Sequence, residues 1–110
     1  MNDSISIEKI QIFKEKYPDR IPILIVDTQN GITIDKKKYL VPIDITIGQL
    51  SLIFRNKTNL KPQEAMFMSF LDNNNKKFMF PGSIYLNTVL ETIPNNGLLR
   101  IILMKENTFG

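Results

Sequence analysis

The last five residues are the part of this chain whose residue types could do chemistry. Glu106-Asn107-Thr108-Phe109-Gly110 is a polar segment that follows an apolar run and stops on a glycine. Glycine has no side chain to obstruct a narrow enzyme cleft and tolerates extended conformations, and a short polar lead-in leaves a carboxylate accessible. The α-carboxylate of Gly110 is therefore the candidate reactive group.

Cysteine and histidine are both absent from the sequence. Without them the chain has no thiol nucleophile, no thiolate or imidazole metal ligand, no Cys-His or Ser-His pair and no imidazole base. The lack of a disulfide framework also suits a reducing compartment. The sequence therefore predicts a binding protein rather than an enzyme, with no catalytic residues, no metal and no cofactor.

The bulk composition fits one compact domain that folds alone. A chain of 110 residues with 43% hydrophobic residues buries roughly two thirds of the surface that its unfolded form exposes. The net charge of +3 comes mainly from lysines such as Lys36-Lys37-Lys38 and is too small to favour nucleic acid as a partner. No apolar run approaches the roughly 20 residues that span a bilayer, and the N-terminus lacks a signal-peptide pattern, so we expect the chain to begin in the cytosol.

Hydrophobic periodicity and turn residues divide the chain into helix, strand, strand, helix, strand, short helix and strand. Helices are predicted at about 6–17 and 46–58, with a short third helix that Ser83 could cap. Strands are predicted at 21–26, 37–41, 65–71 and 98–104, with a turn at Asn30-Gly31 and a polar connection at 72–77.

The second helix is the best specified. Thr46 can cap the amide of Gln49, and Gln49 can reach back, which is the spacing of a capping box between Ile45 and Leu50. The first two strands can pair as a hairpin that this helix then covers. The predicted fold is α+β, a ubiquitin-like β-grasp with a four-stranded mixed sheet covered by helices and an N-terminal helical extension.

Three stretches then point to a family: 16–22 (KYPDRIP), 35–49 (DKKKYLVPIDITIGQ) and 106–110 (ENTFG). In this order and at nearly these spacings they resemble the ubiquitin-like autophagy modifiers, the Atg8 family with its light-chain-3 and GABA-receptor-associated relatives. The resemblance covers most of the chain, although 73–96 match poorly and the N-terminus has room for one helix where the family generally has two. It implies an N-terminal helical extension at 1–17, a ubiquitin-like domain at 18–105 and a flexible conjugation tail at 106–110.

The resemblance implies a covalent role for the tail. In this family the terminal glycine is adenylated, passed as a thioester between E1-like activating and E2-like conjugating enzymes, and joined to the amine of phosphatidylethanolamine. Gly110 takes that role here, with Phe109 as a recognition residue and a cysteine protease as the delipidating partner. Two acyl chains anchor a protein stably. The expected location is therefore the cytoplasm, and the membrane of an autophagosome or related organelle after lipidation.

The resemblance also implies a docking surface for cargo receptors whose short motif carries one aromatic and one aliphatic side chain. The second strand is predicted at the sheet edge, where its unpaired backbone groups can accept an extended peptide. By position, the first pocket comprises Phe13, Pro22, Leu24, Lys38, Leu40 and Leu98, and the second comprises Tyr39, Val41, Pro42, Ile45, Leu50 and Ile53. Arg55 and Lys57 would meet acidic residues that flank the motif. Leu98 stands where the family commonly has phenylalanine, which leaves the shape of the first pocket open.

Plainer interpretations stand beside these. Leu24, Leu50 and Ile53 would be core residues in any such fold, and lysines 36–38 could simply protect an edge strand from aggregation. Asp19 and Arg20 are predicted to form ion pairs that fix the N-terminal helix. One alternative function is an unconjugated adaptor that binds peptides by strand addition. Another is a modifier of proteins, although the relative of that kind typically ends in tryptophan-glycine.

Overall fold

A mixed sheet of five strands and three helices make up the described part of the chain, residues 7–106 of the computed structural model. The helices are α1 (Ile7–Lys16), α2 (Ile47–Arg55) and α3 (Leu86–Thr92), and the strands are β1 (Arg20–Gln29), β2 (Lys38–Pro42), β3 (Met66–Leu71), β4 (Lys77–Phe78) and β5 (Leu99–Lys105). The sheet order is β2-β1-β5-β3-β4, in which β1 and β5 are parallel and the other neighbours are antiparallel. This arrangement confirms the predicted α+β, β-grasp class.

The strand β4 is the element that the sequence does not indicate. Lys77 and Phe78 pair with the end of β3, so the sheet has five strands instead of the predicted four. The connection before β4 is ordered, because the Asp72 carboxylate accepts hydrogen bonds from the amides of Asn74 and Lys76 at 2.8 and 2.9 Å. A strand of two residues is too short to produce an alternating hydrophobic pattern.

The capping box of α2 is confirmed. Thr46 Oγ1 accepts a hydrogen bond from the Gln49 amide at 3.1 Å, and Gln49 Oε1 accepts one from the Thr46 amide at 2.9 Å. The helix buries Ile47, Leu50 and Phe54 against the sheet. It ends at Arg55, three residues before the predicted end.

Ser83 does not cap α3, whose N-cap residue is Tyr85 without a side-chain hydrogen bond. Instead, the amides of Leu86 and Asn87 donate to the carbonyls of Ile45 and Ile43 at 2.8 and 3.0 Å. The loop before α2 therefore satisfies the first amides of α3, and the sequence around Ser83 carries no sign of this long-range arrangement.

The two faces of the sheet are unequal. Ile21, Ile23 and Ile25 of β1 join α2, α3 and alternate residues of β5 in the main core, whereas Leu24 is buried outside it. The register shifts after Ile25, and β1 continues through polar residues to Gln29, three beyond its predicted end. Asn30 and Gly31 follow with φ of 62° and 85°, which confirms the turn.

The helix α1 is held by packing rather than by the predicted ion pairs. Within residues 7–106, neither Asp19 nor Arg20 forms an ion pair; the Asp19 carbonyl accepts a hydrogen bond from the Ile43 amide, and the Arg20 amide donates to the Tyr17 carbonyl. Ile10 is buried next to Gly97, where a Cβ atom would lie 3.0 Å from Ile10 Cγ2. The absence of a side chain at Gly97, which has a φ of 84°, lets the helix approach the domain closely.

Candidate peptide-binding groove and tail exit

A surface groove of about 650 Å³ lies between α1 and the neighbouring strands β1 and β2. It is lined by Glu8, Lys9, Ile12, Phe13, Tyr17, Pro22, Lys36, Lys38, Tyr39 and Leu40. Four of the six residues predicted for the first pocket therefore come together here, namely Phe13, Pro22, Lys38 and Leu40. The lining combines an apolar surface with three lysines and one glutamate, a composition suited to an apolar side chain with acidic neighbours.

The two remaining residues of the predicted first pocket lie elsewhere. Leu24 is only 3% exposed and pairs with Lys38 in the β1–β2 register, beneath the surface. Leu98 is half-buried just before β5. Neither lines the groove.

Ile12 is a groove residue that the sequence prediction missed. Its side chain is 57% exposed, although it belongs to a helix that buries Ile10. Ile12 falls outside the stripe formed by Ile10, Phe13 and Tyr17, and this isolated exposed isoleucine is the signal that could have identified it. Glu8 and Lys9 precede it on the same helix and carry no comparable signal in the sequence.

Strand β2 provides the edge that borders the groove. It is the terminal strand of the sheet that the described residues form, and its one strand neighbour there is β1. Its first residue, Lys38, is exposed, as are Lys36 and Lys37 just before it. Backbone groups on the outer side of such a strand can pair with an added extended peptide.

Tyr39 connects the groove to the core. Its hydroxyl donates a hydrogen bond to the Lys36 carbonyl at 2.7 Å, and its ring meets that of Phe54 edge-on at 5.1 Å. Burial raises the pKa of the Tyr39 hydroxyl above its ordinary value of 10.0, and the negative charge of Asp35 raises it further. The hydroxyl therefore remains a donor throughout the physiological range.

The residues predicted for the second pocket belong largely to the core. Val41 is 5% exposed and Leu50 is fully buried, both within the main cluster between the sheet and α2. Ile45 and Ile53 are half-buried and pack against that cluster. Pro42, also half-buried, ends β2.

The two cations predicted at the flank differ in their surroundings. Arg55 Nη2 donates to the carbonyls of Lys61 and Pro62 at 2.6 and 3.0 Å, so its guanidinium holds the loop that follows α2. Lys57 is exposed beyond the end of the helix. Of the two, Lys57 is the side chain that can move toward an incoming charge.

The predicted conjugation residues Phe109 and Gly110 lie outside the described residues. The segment that carries them follows β5, which lies between β1 and β3 in the sheet. The Glu106 amide donates to the Ala65 carbonyl at 2.9 Å, so the hydrogen bonding of the domain extends one residue beyond β5.

Residues 7–106 contain neither a metal-binding cluster nor a membrane-spanning helix. No group of three or more acidic, histidine or cysteine side chains is arranged to hold a metal ion. None of the helices has the length and apolar character needed to cross a membrane.

Comparisons with known proteins agree on one family. A family model described as "Autophagy protein Atg8 ubiquitin like" matches residues 6–110. The "Autophagy-related protein 8" of Schizosaccharomyces pombe is 40% identical over 115 residues, covering 98% of this chain and 91% of the relative. The protein of the same name from Coccidioides immitis is 38% identical over 100 residues, covering 88% and 81%. The crystal structure of Trypanosoma brucei ATG8 superposes with a TM-score of 0.71 at 27% identity, covering 97% of this chain and 94% of that one.

Proposed function

Because the chain belongs to the Atg8 family of ubiquitin-like autophagy proteins, we propose that it is conjugated through the Gly110 carboxylate to phosphatidylethanolamine. The observation that carries this proposal is the extent of the family match, which runs through the ENTFG segment to residue 110. The segment also begins at the end of a central strand, where Glu106 is still bonded to the domain. The segment that ends in the Gly110 carboxylate therefore leaves the domain from a fixed point at Glu106.

The chemistry assigns the protein the role of transferred group. The carboxylate attacks ATP to form an acyl adenylate and release pyrophosphate, and an enzyme thiolate then displaces AMP to form a thioester. The lipid amine finally displaces the thiolate and forms an amide. The chain has no cysteine and needs none, because the thioester cysteines belong to its E1-like and E2-like partners. A cysteine protease would cleave the amide and return the protein to the cytoplasm from the autophagosomal or related membrane.

We further propose that the groove and the β2 edge recruit partners with a short acidic motif. The aromatic side chain of the motif enters the groove beside Phe13, Pro22 and Leu40, while its backbone adds to the outer side of β2. Lys36 and Lys38 border the groove and complement acidic residues of the motif. The aliphatic side chain of the motif rests on the exposed parts of the second pocket.

Reconstitution with purified enzymes tests the conjugation. The chain is incubated with the activating and conjugating enzymes of its source organism, ATP and vesicles that contain phosphatidylethanolamine. We expect the mass of the chain to increase by the mass of one lipid minus one water. Fragmentation of the product should locate the added mass at Gly110. Deletion of Gly110 is the matched control and should abolish the adduct. An unmodified wild-type chain under conditions in which the enzymes charge a known substrate would refute the proposal.

A second candidate function is an unconjugated adaptor. It is favoured by one observation: the groove and the edge strand are complete within the described residues and do not need the tail. The two functions separate in cells. The adaptor predicts that Lys38→Glu or Leu40→Ala abolishes function while deletion of Gly110 does not, whereas the modifier predicts loss in all three variants.

A further inference from the structure

Three contacts hold the point at which the C-terminal segment leaves the domain. Asn30 Nδ2 donates to the Lys105 carbonyl at 2.9 Å, and the Glu106 amide donates to the Ala65 carbonyl at 2.9 Å. The ammonium of Lys105 lies 3.1 Å from Glu64 Oε2. We call the side chains of Asn30, Glu64 and Lys105 the tail clasp.

On the β1 side, the clasp continues the sheet after the strand has turned away. Pairing between β1 and β5 ends at Gln29 and Met104, because Asn30 adopts a left-handed conformation with φ of 62°. The side-chain amide of Asn30 then takes the place of the missing backbone donor and binds the next carbonyl, that of Lys105. Asparagine suits this position because it tolerates left-handed geometry and also carries a donor.

On the β3 side, the clasp rests on a carboxylate that is already oriented. Glu64 Oε1 accepts a hydrogen bond from the Lys61 amide at 2.9 Å, which leaves Oε2 directed to Lys105. The Lys61 amide and then Lys105 lower the pKa of Glu64 below its ordinary value of 4.5, so the carboxylate is charged at neutral pH. Ion pairs this exposed contribute little to stability. The pair therefore assists the two hydrogen bonds made by the Lys105 carbonyl and the Glu106 amide, which carry most of the restraint on the backbone.

We propose that Asn30, Glu64 and Lys105 are positioning residues that fix where and in which direction the tail leaves the domain for conjugation. The inference rests on the proposed conjugation of Gly110. The residues after Glu106 reach at most about 14 Å when extended, so a shift at their origin is a large fraction of their reach. Lys105 also pairs with Met66 through the backbone, so loss of the clasp side chains loosens the exit point at Glu106 without freeing β5. A tail that leaves from a less fixed origin meets the enzymes in the productive direction less often, so we expect a several-fold fall in the rate of conjugation.

The test variant is Asn30→Gly combined with Lys105→Met. Glycine accepts the left-handed conformation without strain and removes only the donor, while methionine keeps an apolar stem and removes the charge. The conservative control is Lys105→Arg, which preserves the pair with Glu64. The matched control is Asn59→Ala, because Asn59 binds Gly31 and Thr33 in the same β1–β2 connection without contacting Lys105.

Two measurements on full-length protein decide the matter. The first is amide hydrogen exchange at Glu106, which we expect to be several-fold faster in the double variant and unchanged in both controls. The second is the initial rate of conjugation to phosphatidylethanolamine vesicles with the purified enzymes, which we expect to fall two- to fivefold in the double variant alone. Affinity for a groove-binding peptide serves as a check that the domain is intact and should not change.

The outcomes separate the two proposals. Unchanged exchange at Glu106, or faster exchange with an unchanged rate of conjugation, overturns the role of the clasp and leaves conjugation of Gly110 standing. An equal fall in rate for Asn59→Ala also overturns it, since a loosened connection would then suffice. Failure of the wild-type chain to be conjugated overturns the proposed function, and the positioning role with it.

Discussion

The groove and most residues predicted for the second pocket lie on opposite faces of β2 and differ in physical character, although Tyr39 of the second set also lines the groove. Leu40 lines an open groove together with residues of α1, whereas its neighbour Val41 is buried in the main core beneath α2. Successive side chains of a strand point to opposite faces, so this short strand serves binding on one face and stability on the other. Substitutions in the groove can therefore test binding, while those in the second pocket test the fold first.

Leu50→Ala should have the largest effect, and on stability. The side chain is fully buried in the main core, and its truncation should lower the free energy of unfolding by about 2 to 5 kcal/mol. Denaturant titration measures this. Leu52→Ala is the control, because Leu52 belongs to the same helix and is 60% exposed. Equal effects of the two variants would show that the second pocket is not part of the core.

Leu40→Ala should affect binding more than stability. Leu40 is a half-buried side chain of the open groove. Its truncation should lower the affinity for a short acidic peptide with one aromatic and one aliphatic side chain by about tenfold or more. Calorimetry gives the affinity and denaturant titration the stability. Phe67→Ala on β3 is the control for loss of an exposed apolar side chain. If Phe67→Ala weakens the peptide as much as Leu40→Ala does, the peptide does not occupy the groove.

The division of β2 between two faces also explains what could be predicted from the sequence. Alternation along 37–41 and the capping box at Thr46 depend on near neighbours in the chain, and both were predictable from local pattern. The burial of Leu50 agrees with the plainer interpretation of its sequence position as a core residue. The orientation of Arg55 depends instead on the carbonyls of the loop that follows α2, which no local pattern indicates. The second pocket was assigned by resemblance, which gives a residue its position but not its depth below the surface.

Long-range contacts account for the other differences. The start of α3 is satisfied by carbonyls of Ile43 and Ile45, and α1 is seated on Gly97. The clasp residue Asn30 looks in the sequence like an ordinary turn residue, and its bond to Lys105 spans most of the chain. No local pattern encodes such pairings, because each partner obeys its own local preference equally well without the other.

Arg55 and Lys57, the two cations predicted to meet acidic residues of the peptide, should again separate an effect on binding from an effect on stability. Lys57→Met should lower the affinity for the acidic peptide by roughly two- to fivefold at low salt and leave stability unchanged. The difference in affinity from the wild type should decrease as the salt concentration rises. Arg55→Met should instead lower the free energy of unfolding by about 0.5 to 1.5 kcal/mol, because two exposed loop carbonyls exchange a protein donor for water. Salt-dependent calorimetry and denaturant titration on both variants provide the comparison. A salt-dependent loss of affinity in Arg55→Met without loss of stability would contradict it.

The smallest effect concerns Tyr39, which both lines the groove and packs on Phe54. Its pKa is raised above 10.0, chiefly by burial and then by Asp35. The neutral form is therefore favoured in the folded state, and the associated stability is fully present below pH 10.0 and lost as the pH rises through the higher folded value. Ultraviolet difference titration of the wild type against Tyr39→Phe should show a midpoint above 10.0. Asp35→Asn should lower that midpoint only part of the way toward the ordinary value, because burial is the larger cause of the raised pKa. A complete return to the ordinary value would mean that the Tyr39 side chain lies on the solvent side of β2 and not against the core.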